Sequence, residues 1–174
     1  MTLITGTETR CTRKGAPFEA YERVYLFFGI RRYEAEGGGY WGTPLLSSLD
    51  DISELRVMDD VGMPVSMDPS KLVIDERHSI KVVITYPCKT STLTIHQSKP
   101  ITLRTFCKAV YDAYRLMYAE EERTATIRGT PASKALNRRA TNGRYGIWGH
   151  DLNDLFFEGA ERDRDGIWKL YIGS

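Results

Sequence analysis

The stretch PITLRTFCKAVYDAYRLMYAEEER, residues 100–123, constrains the fold more than any other. Leu103, Phe106, Val110, Ala113, Tyr114 and Met117 recur at steps of three and four, which lines them up on one face of an α-helix. Arg104, Lys108, Asp112 and Arg115 take the opposite face. Thr102 is suited to cap the N-terminus, with Pro100 just outside, so a helix is predicted from about Thr102 to Glu122. A helix with one wide apolar stripe has to be covered by something else. Glu120 to Glu122 sit where the helix dipole is already negative, which predicts a frayed end or an extension through Arg123.

Short strands supply the cover. ERVYLFFGI contains a continuous apolar run, Val24 to Ile30, suited to a strand buried on both faces. EGGGYWGTP, residues 36–44, reads as a loop because of its run of glycines. LLSSLDDISEL fits a short helix or a loop equally well. ELRVMDDVGMPVSM reads as a hairpin, and MDPSKLVIDE as a turn followed by a short strand. In HSIKVVITYP and TLTIH apolar and polar residues alternate, with PCKTS between them, which predicts a second hairpin. LFFEGAER and GIWKLYIG predict a third, turning at DRDG. The predicted class is α+β: a mainly antiparallel sheet built from hairpins, packed on one long amphipathic helix. Residues 1–17 read as a flexible arm and 18–174 as a single domain.

Composition narrows the function without choosing it. At 174 residues and 41% hydrophobic, the chain can bury a substantial core. A net charge of +1 sets up no global field toward nucleic acid or a membrane. Three cysteines, Cys11, Cys88 and Cys107, are an odd number at wide spacings. They suggest neither a disulfide framework nor a zinc cluster, and a reducing compartment is expected. The N-terminus has no long apolar run, so neither a signal peptide nor a membrane span is expected.

Two segments hold candidate sites. GRYGIWGHDLNDLFFEG, residues 143–159, concentrates glycine, aromatics and a His-Asp pair. As metal ligands His150, Asp151 and Asp154 would serve a hydrolase, but a catalytic metal wants about three protein ligands, and His78 and His96 lie in a separate hairpin. The simpler reading is a structural or partner-binding corner of Tyr145, Trp148, His150 and Asp151. There Gly146 and Gly149 allow positive φ, Trp148 is buried against the sheet, His150 and Asp151 tie the turn to the next strand, and Asp151 or Asn153 caps it. The segment 123–144 carries six basic residues and no acidic one, and is expected to be a mobile loop. As a nucleic-acid surface it would use Arg123, Arg128, Lys134, Arg138, Arg139 and Arg144, with Tyr145 and Trp148 stacking on bases. The acidic residues after it, Asp151 to Asp165, offer an internal charge match instead. No phosphate-loop motif, nucleophile elbow or cofactor motif is present. Cys107 and the tyrosines 111, 114 and 118 read as core, and no catalytic set or resident metal is assigned.

Across residues 100–174 the words ITLRTFCKAVYDAYRLMY, GRYGIWGHDLNDLFFEG and WKLYIGS together resemble an uncharacterised family of large double-stranded DNA viruses that infect amoebae, the marseillevirus group nearest. The resemblance implies a viral product active in the host cytoplasm during infection, with the virion as a further location. The family carries no assigned reaction to transfer. The expected function is therefore non-enzymatic: contacts with viral or host proteins and self-association as a homodimer, which exposed aromatics and edge strands at both termini would favour. Nucleic acid is the alternative partner, and a hydrolase centred on His150 the third reading.

Overall fold

The structure, a computed structural model, describes residues 24–33, 39–58, 63–127 and 140–174. The arm at 1–17 and the turn at 59–62 lie outside those residues. The elements run β1 (Val24–Tyr33), β2 (Gly39–Gly42), α1 (Leu49–Ser53), β3 (Leu55–Met58), β4 (Pro64–Val65), β5 (Val73–Asp75), β6 (Ser79–Ile84), β7 (Ser91–His96), β8 (Ile101–Thr102), α2 (Leu103–Thr124), β9 (Phe156–Arg162) and β10 (Ile167–Gly173). The class is α+β: antiparallel sheets, one long helix and one short one.

The main sheet has the order β4-β3-β1-β9-β10-β6-β7, with β2 also on β1. All three predicted hairpins are present: β3 with β4, β6 with β7, and β9 with β10. Two features were not foreseen. β10 runs parallel to β6, Trp168 facing Val82, and so joins the C-terminal hairpin to the middle one. Gly39–Gly42 is a strand rather than loop, because β1 is long enough to pair it at Ile30 to Tyr33; residues 34–38 of that predicted loop lie outside the described residues. The segment left open between helix and loop forms α1, capped by Ser48 Oγ, which accepts from Asp51 N at 3.2 Å. The terminal strands are not edges: β1 lies between β9 and β3, and β10 between β9 and β6. Neither β1 nor β10 therefore has a free edge for the dimer expected through terminal edge strands.

Helix α2 begins where its sequence directs, with the Thr102 hydroxyl accepting from Thr105 N. Leu103, Phe106, Val110, Tyr114 and Met117 are buried, joined by Cys107, Tyr111 and Tyr118. Phe106 meets Phe157 of β9 and Trp168 of β10 at centroid distances of 6.1 and 5.3 Å, and Phe157 meets Phe28 of β1 edge-on at 4.8 Å. These offset rings join helix to sheet across the middle of the core. Trp168 is fully buried and Trp148 is 43% exposed, the reverse of the expectation for Trp148. Trp168 stands near the start of β10 between Val82 of β6 and Arg162 of β9, whereas the corner that carries Trp148 turns its Ile147 inward instead.

One buried charge secures the sheet end of this core. Asp75, 3% exposed, accepts two hydrogen bonds from the Arg77 guanidinium at 2.7 and 2.8 Å and one from Trp168 Nε1 at 3.2 Å, with Arg162 at 3.4 Å. Arg77 also donates to the Gly166 carbonyl, which ties the end of β5 to the β9–β10 turn. Burial pushes the Asp75 carboxyl up, but the donors of Arg77 and Trp168 outweigh it and hold it at about 2.

The two faces of α2 give a paired test. Val110→Asp places an unpaired charge at a fully buried position and should cost about 3 kcal/mol or more, or prevent folding. Leu116→Asp, at a position 70% exposed on the same helix, should change stability by less than about 0.5 kcal/mol. Urea unfolding of both variants checks this, and equal effects would mean that the buried face is wrongly assigned.

Candidate functional site: a loop folded around Glu121

The glycine- and aromatic-rich segment is organised by a residue outside it. Glu121, in the last turn of α2, is fully buried, and its carboxylate lies inside the loop 141–147. One oxygen, Oε1, accepts from the Thr141 hydroxyl, from Gly143 N at 2.9 Å and from Ile147 N at 3.4 Å. Oε2 accepts from Tyr145 N at 2.7 Å and Gly146 N at 3.0 Å. Successive N–H groups converging on one anion form a nest, and here the anion is the protein's own side chain. The loop is closed across its neck, where the Ile147 carbonyl accepts from Thr141 N at 3.0 Å.

Two glycines make the enclosure possible. A Cβ on Gly143 would stand 2.6 Å from the Glu121 carboxyl carbon, so no other residue allows the loop so close. Gly146 has φ of 58°, the left-handed turn that directs its N–H inward, as its glycine character predicts. Burial pushes the Glu121 carboxyl up; the Thr141 hydroxyl and the N–H groups of Tyr145, Gly146 and Ile147 more than reverse this, and the net shift is downward.

The loop then docks on the β6–β7 connection. Lys89 N donates to the Tyr145 carbonyl and Trp148 N to the Pro87 carbonyl, both at 2.9 Å. Tyr114 Oη donates to the Tyr86 carbonyl at 2.6 Å, and Tyr118 Oη to the His150 carbonyl at 2.8 Å, so the helix holds both sides of this contact. Trp148 stands on the result, its ring edge-on to Tyr86 at 5.4 Å and 90°.

The predicted corner of Tyr145, Trp148, His150 and Asp151 is thus one continuous structure, but it is held by backbone groups. His150 is fixed through its N–H to the Trp148 carbonyl and its own carbonyl to Tyr118. Asp151 stands at the N-cap of a 3-10 turn, Leu152–Asp154, yet its side chain makes no capping bond; its carbonyl accepts from Asp154 N. Among the described residues no group of three or more His, Cys, Asp and Glu side chains could hold a metal ion. Cys107 is core, as read from its position. Burial pushes the Cys88 thiol up to about 11, with the Glu121 charge adding to the effect.

Of the six basic residues assigned to a nucleic-acid surface, Arg128, Lys134, Arg138 and Arg139 lie outside the described residues. The other two meet a carboxylate on α2: Arg123 pairs with Glu120 at 2.6 Å, and Arg144 approaches Glu120 at 3.7 Å with its guanidinium over the Tyr145 ring. Their charge match is with the helix, not with the acidic residues 151–165. The segment's two ends are joined as well: the N–H groups of Thr126 and Ile127 donate to Asn142 Oδ1, and Arg144 N donates to Thr124 Oγ1. Glu121 itself was missed as a site residue. Its signal was an acidic triplet at a helix end that opposes the dipole, followed by a glycine-bearing stretch without acids.

Glu121→Gln keeps the size but turns an amide donor toward N–H groups that need an acceptor. It should cost about 3 kcal/mol near neutral pH. A carboxyl with a lowered folded pKa contributes stability that is present above the unfolded value, about 4.3, and is lost as pH falls below it. The stability gap between parent and Glu121→Gln should therefore narrow as pH drops from about 5 to about 3. Denaturant unfolding across that range checks the sign, and a gap that stays constant would show that the carboxylate charge is not what the loop requires.

The chain matches no known protein family, no curated protein and no solved structure.

Proposed function

We propose that this is a non-enzymatic protein that works through protein contacts, self-association among them, and that its contact residue for other proteins is Trp148. The observation that carries the reading is a half-exposed tryptophan on a backbone that cannot move freely. Trp148 N is bonded to Pro87, its ring rests on Tyr86, and the preceding loop is threaded by Glu121. A large aromatic side chain already ordered in the free protein loses little entropy on binding, which is the character of an interface anchor. Among the described residues Tyr86, Tyr118 and Lys89 pack against the corner, and Glu121, the buried carboxylate beside it, is saturated by N–H and hydroxyl donors. The resemblance of residues 100–174 to a marseillevirus-group family supports a viral product that meets viral or host proteins in the host cytoplasm or in the particle. The nucleic-acid reading has less support, because Arg123 and Arg144 already face Glu120.

Trp148→Ala should lower the melting temperature by several degrees but leave the protein folded, since more than half of the residue is covered, in part by Tyr86, while the loop's backbone bonds remain. The tagged parent should retain a defined set of proteins from extracts of infected amoebae and from disrupted particles, and the variant should lose them. Binding of a labelled DNA duplex should be weak and show no steep salt dependence. An identical set on both baits would remove Trp148 from the interface, and tight, steeply salt-dependent duplex binding would favour the nucleic-acid reading.

A further inference from the structure

The two edges of the main sheet are built differently. β4 is two residues long and contains Pro64, so it offers little to a passing strand. β7, at the opposite edge, is six residues long, pairs regularly with β6 from Ser79↔His96 to Ile84↔Ser91, and contains no lysine, arginine, acid or proline. Among the described residues no strand pairs with its outer side. A straight uncharged edge is a template for another strand, and proteins that stay monomeric interrupt such edges with charge, proline or a bulge. From this contrast we infer that β7 is the self-association surface: two copies join β7 to β7 about a two-fold axis, antiparallel, so that one sheet continues across both. The inference rests on the self-association part of the proposed function and names its surface.

The sequence of β7 is complementary to itself in this arrangement. A two-fold axis normal to the sheet keeps the faces matched, so odd-numbered residues oppose odd and even oppose even. Centred on Leu93, the pairing sets Leu93 against Leu93, Ser91 against Ile95 and Thr92 against Thr94. Leu93 is half-buried and Ile95 buried, while Thr92 and Thr94 are exposed, so leucine meets leucine on the more buried face and hydroxyls meet on the exposed one. Sliding the centre to Thr94 would bring Lys89 opposite Lys99, two exposed cations just beyond the strand ends. The Leu93 register places Lys89 opposite Gln97 instead. The flanking lysines thus favour the Leu93 register over the Thr94 one.

The test uses the full chain. The parent should show a monomer–dimer equilibrium in sedimentation velocity at micromolar concentrations. Amide exchange across residues 91–96 should slow as the dimer fills. Thr92→Lys/Thr94→Lys sets lysine against lysine across the axis while changing only exposed side chains, so it should keep the parent's melting behaviour at low concentration. Its dimer constant should weaken by about tenfold or more. Thr92→Glu/Thr94→Glu should weaken similarly, and an equimolar mixture of the two variants should recover a heterodimer. A parent that stays monomeric throughout the concentration range would overturn both this surface and self-association. A dimer that persists unweakened in the lysine variant would overturn the surface alone.

Discussion

Glu121 carries a full charge out of water and survives there because every approach to its carboxylate is occupied by a donor. A buried carboxylate with no donors would be strongly unfavourable, and four N–H groups and a hydroxyl with no acceptor would be equally so. Each side of the interaction exists only because of the other. The end of α2 fixes the anion, the anion fixes the loop, and the loop fixes its contact with Pro87 and Lys89. The entry angle into the 3-10 turn and β9 follows from that chain, so the position of the strand that carries Phe157 depends on a glutamate one helix away. Asp75 plays the matching part at the other hairpin, where it binds β5 to the buried Trp168 and to the β9–β10 turn. The apolar core between them is non-directional; these two carboxylates give it a register.

What could be read in the sequence was what repeats. The α2 stripe, its Thr102 cap and the three hairpins follow from periods of 3.6 and 2, which local sterics impose. Gly146 and Gly149 declared their positive φ because few other residues adopt it readily. Pairings between distant segments were not legible. Nothing local marks β10 as parallel to β6, or Gly39–Gly42 as a strand, since both are decided by which partner is within reach. The expected burial of Trp148 failed for the same reason: Trp148 stands on a loop corner, whereas Trp168 stands on a strand flanked on both sides.

The candidate site shows the same division. The corner was recognisable by composition, but the group that shapes it lies some twenty residues upstream, and the sequence showed it only as an apparent fault in the helix. An acid that weakens the helix end locally is stabilised by a loop that the helix rules do not include. A locally unfavourable residue in an otherwise well-formed element is therefore a pointer to a distant partner, here one that presents backbone rather than side chains.

The parallel contact between β10 and β6 also has a consequence in time. The main sheet consists of two blocks, β1 to β4 with β9 on one side and the β6–β7 hairpin on the other, and β10 is the strand that spans them. Ile167–Gly173 follows every other strand of the sheet in chain order, so during synthesis both blocks wait with an open side until those residues leave the ribosome. The first part of β1, Val24 to Phe27, waits with them, because its partner β9 is also late. Such long-range closure makes for slow folding with strand edges exposed meanwhile. A chain cut short before residue 167 would hold two unfinished sheets and would lack Trp168, the indole that their junction is built around.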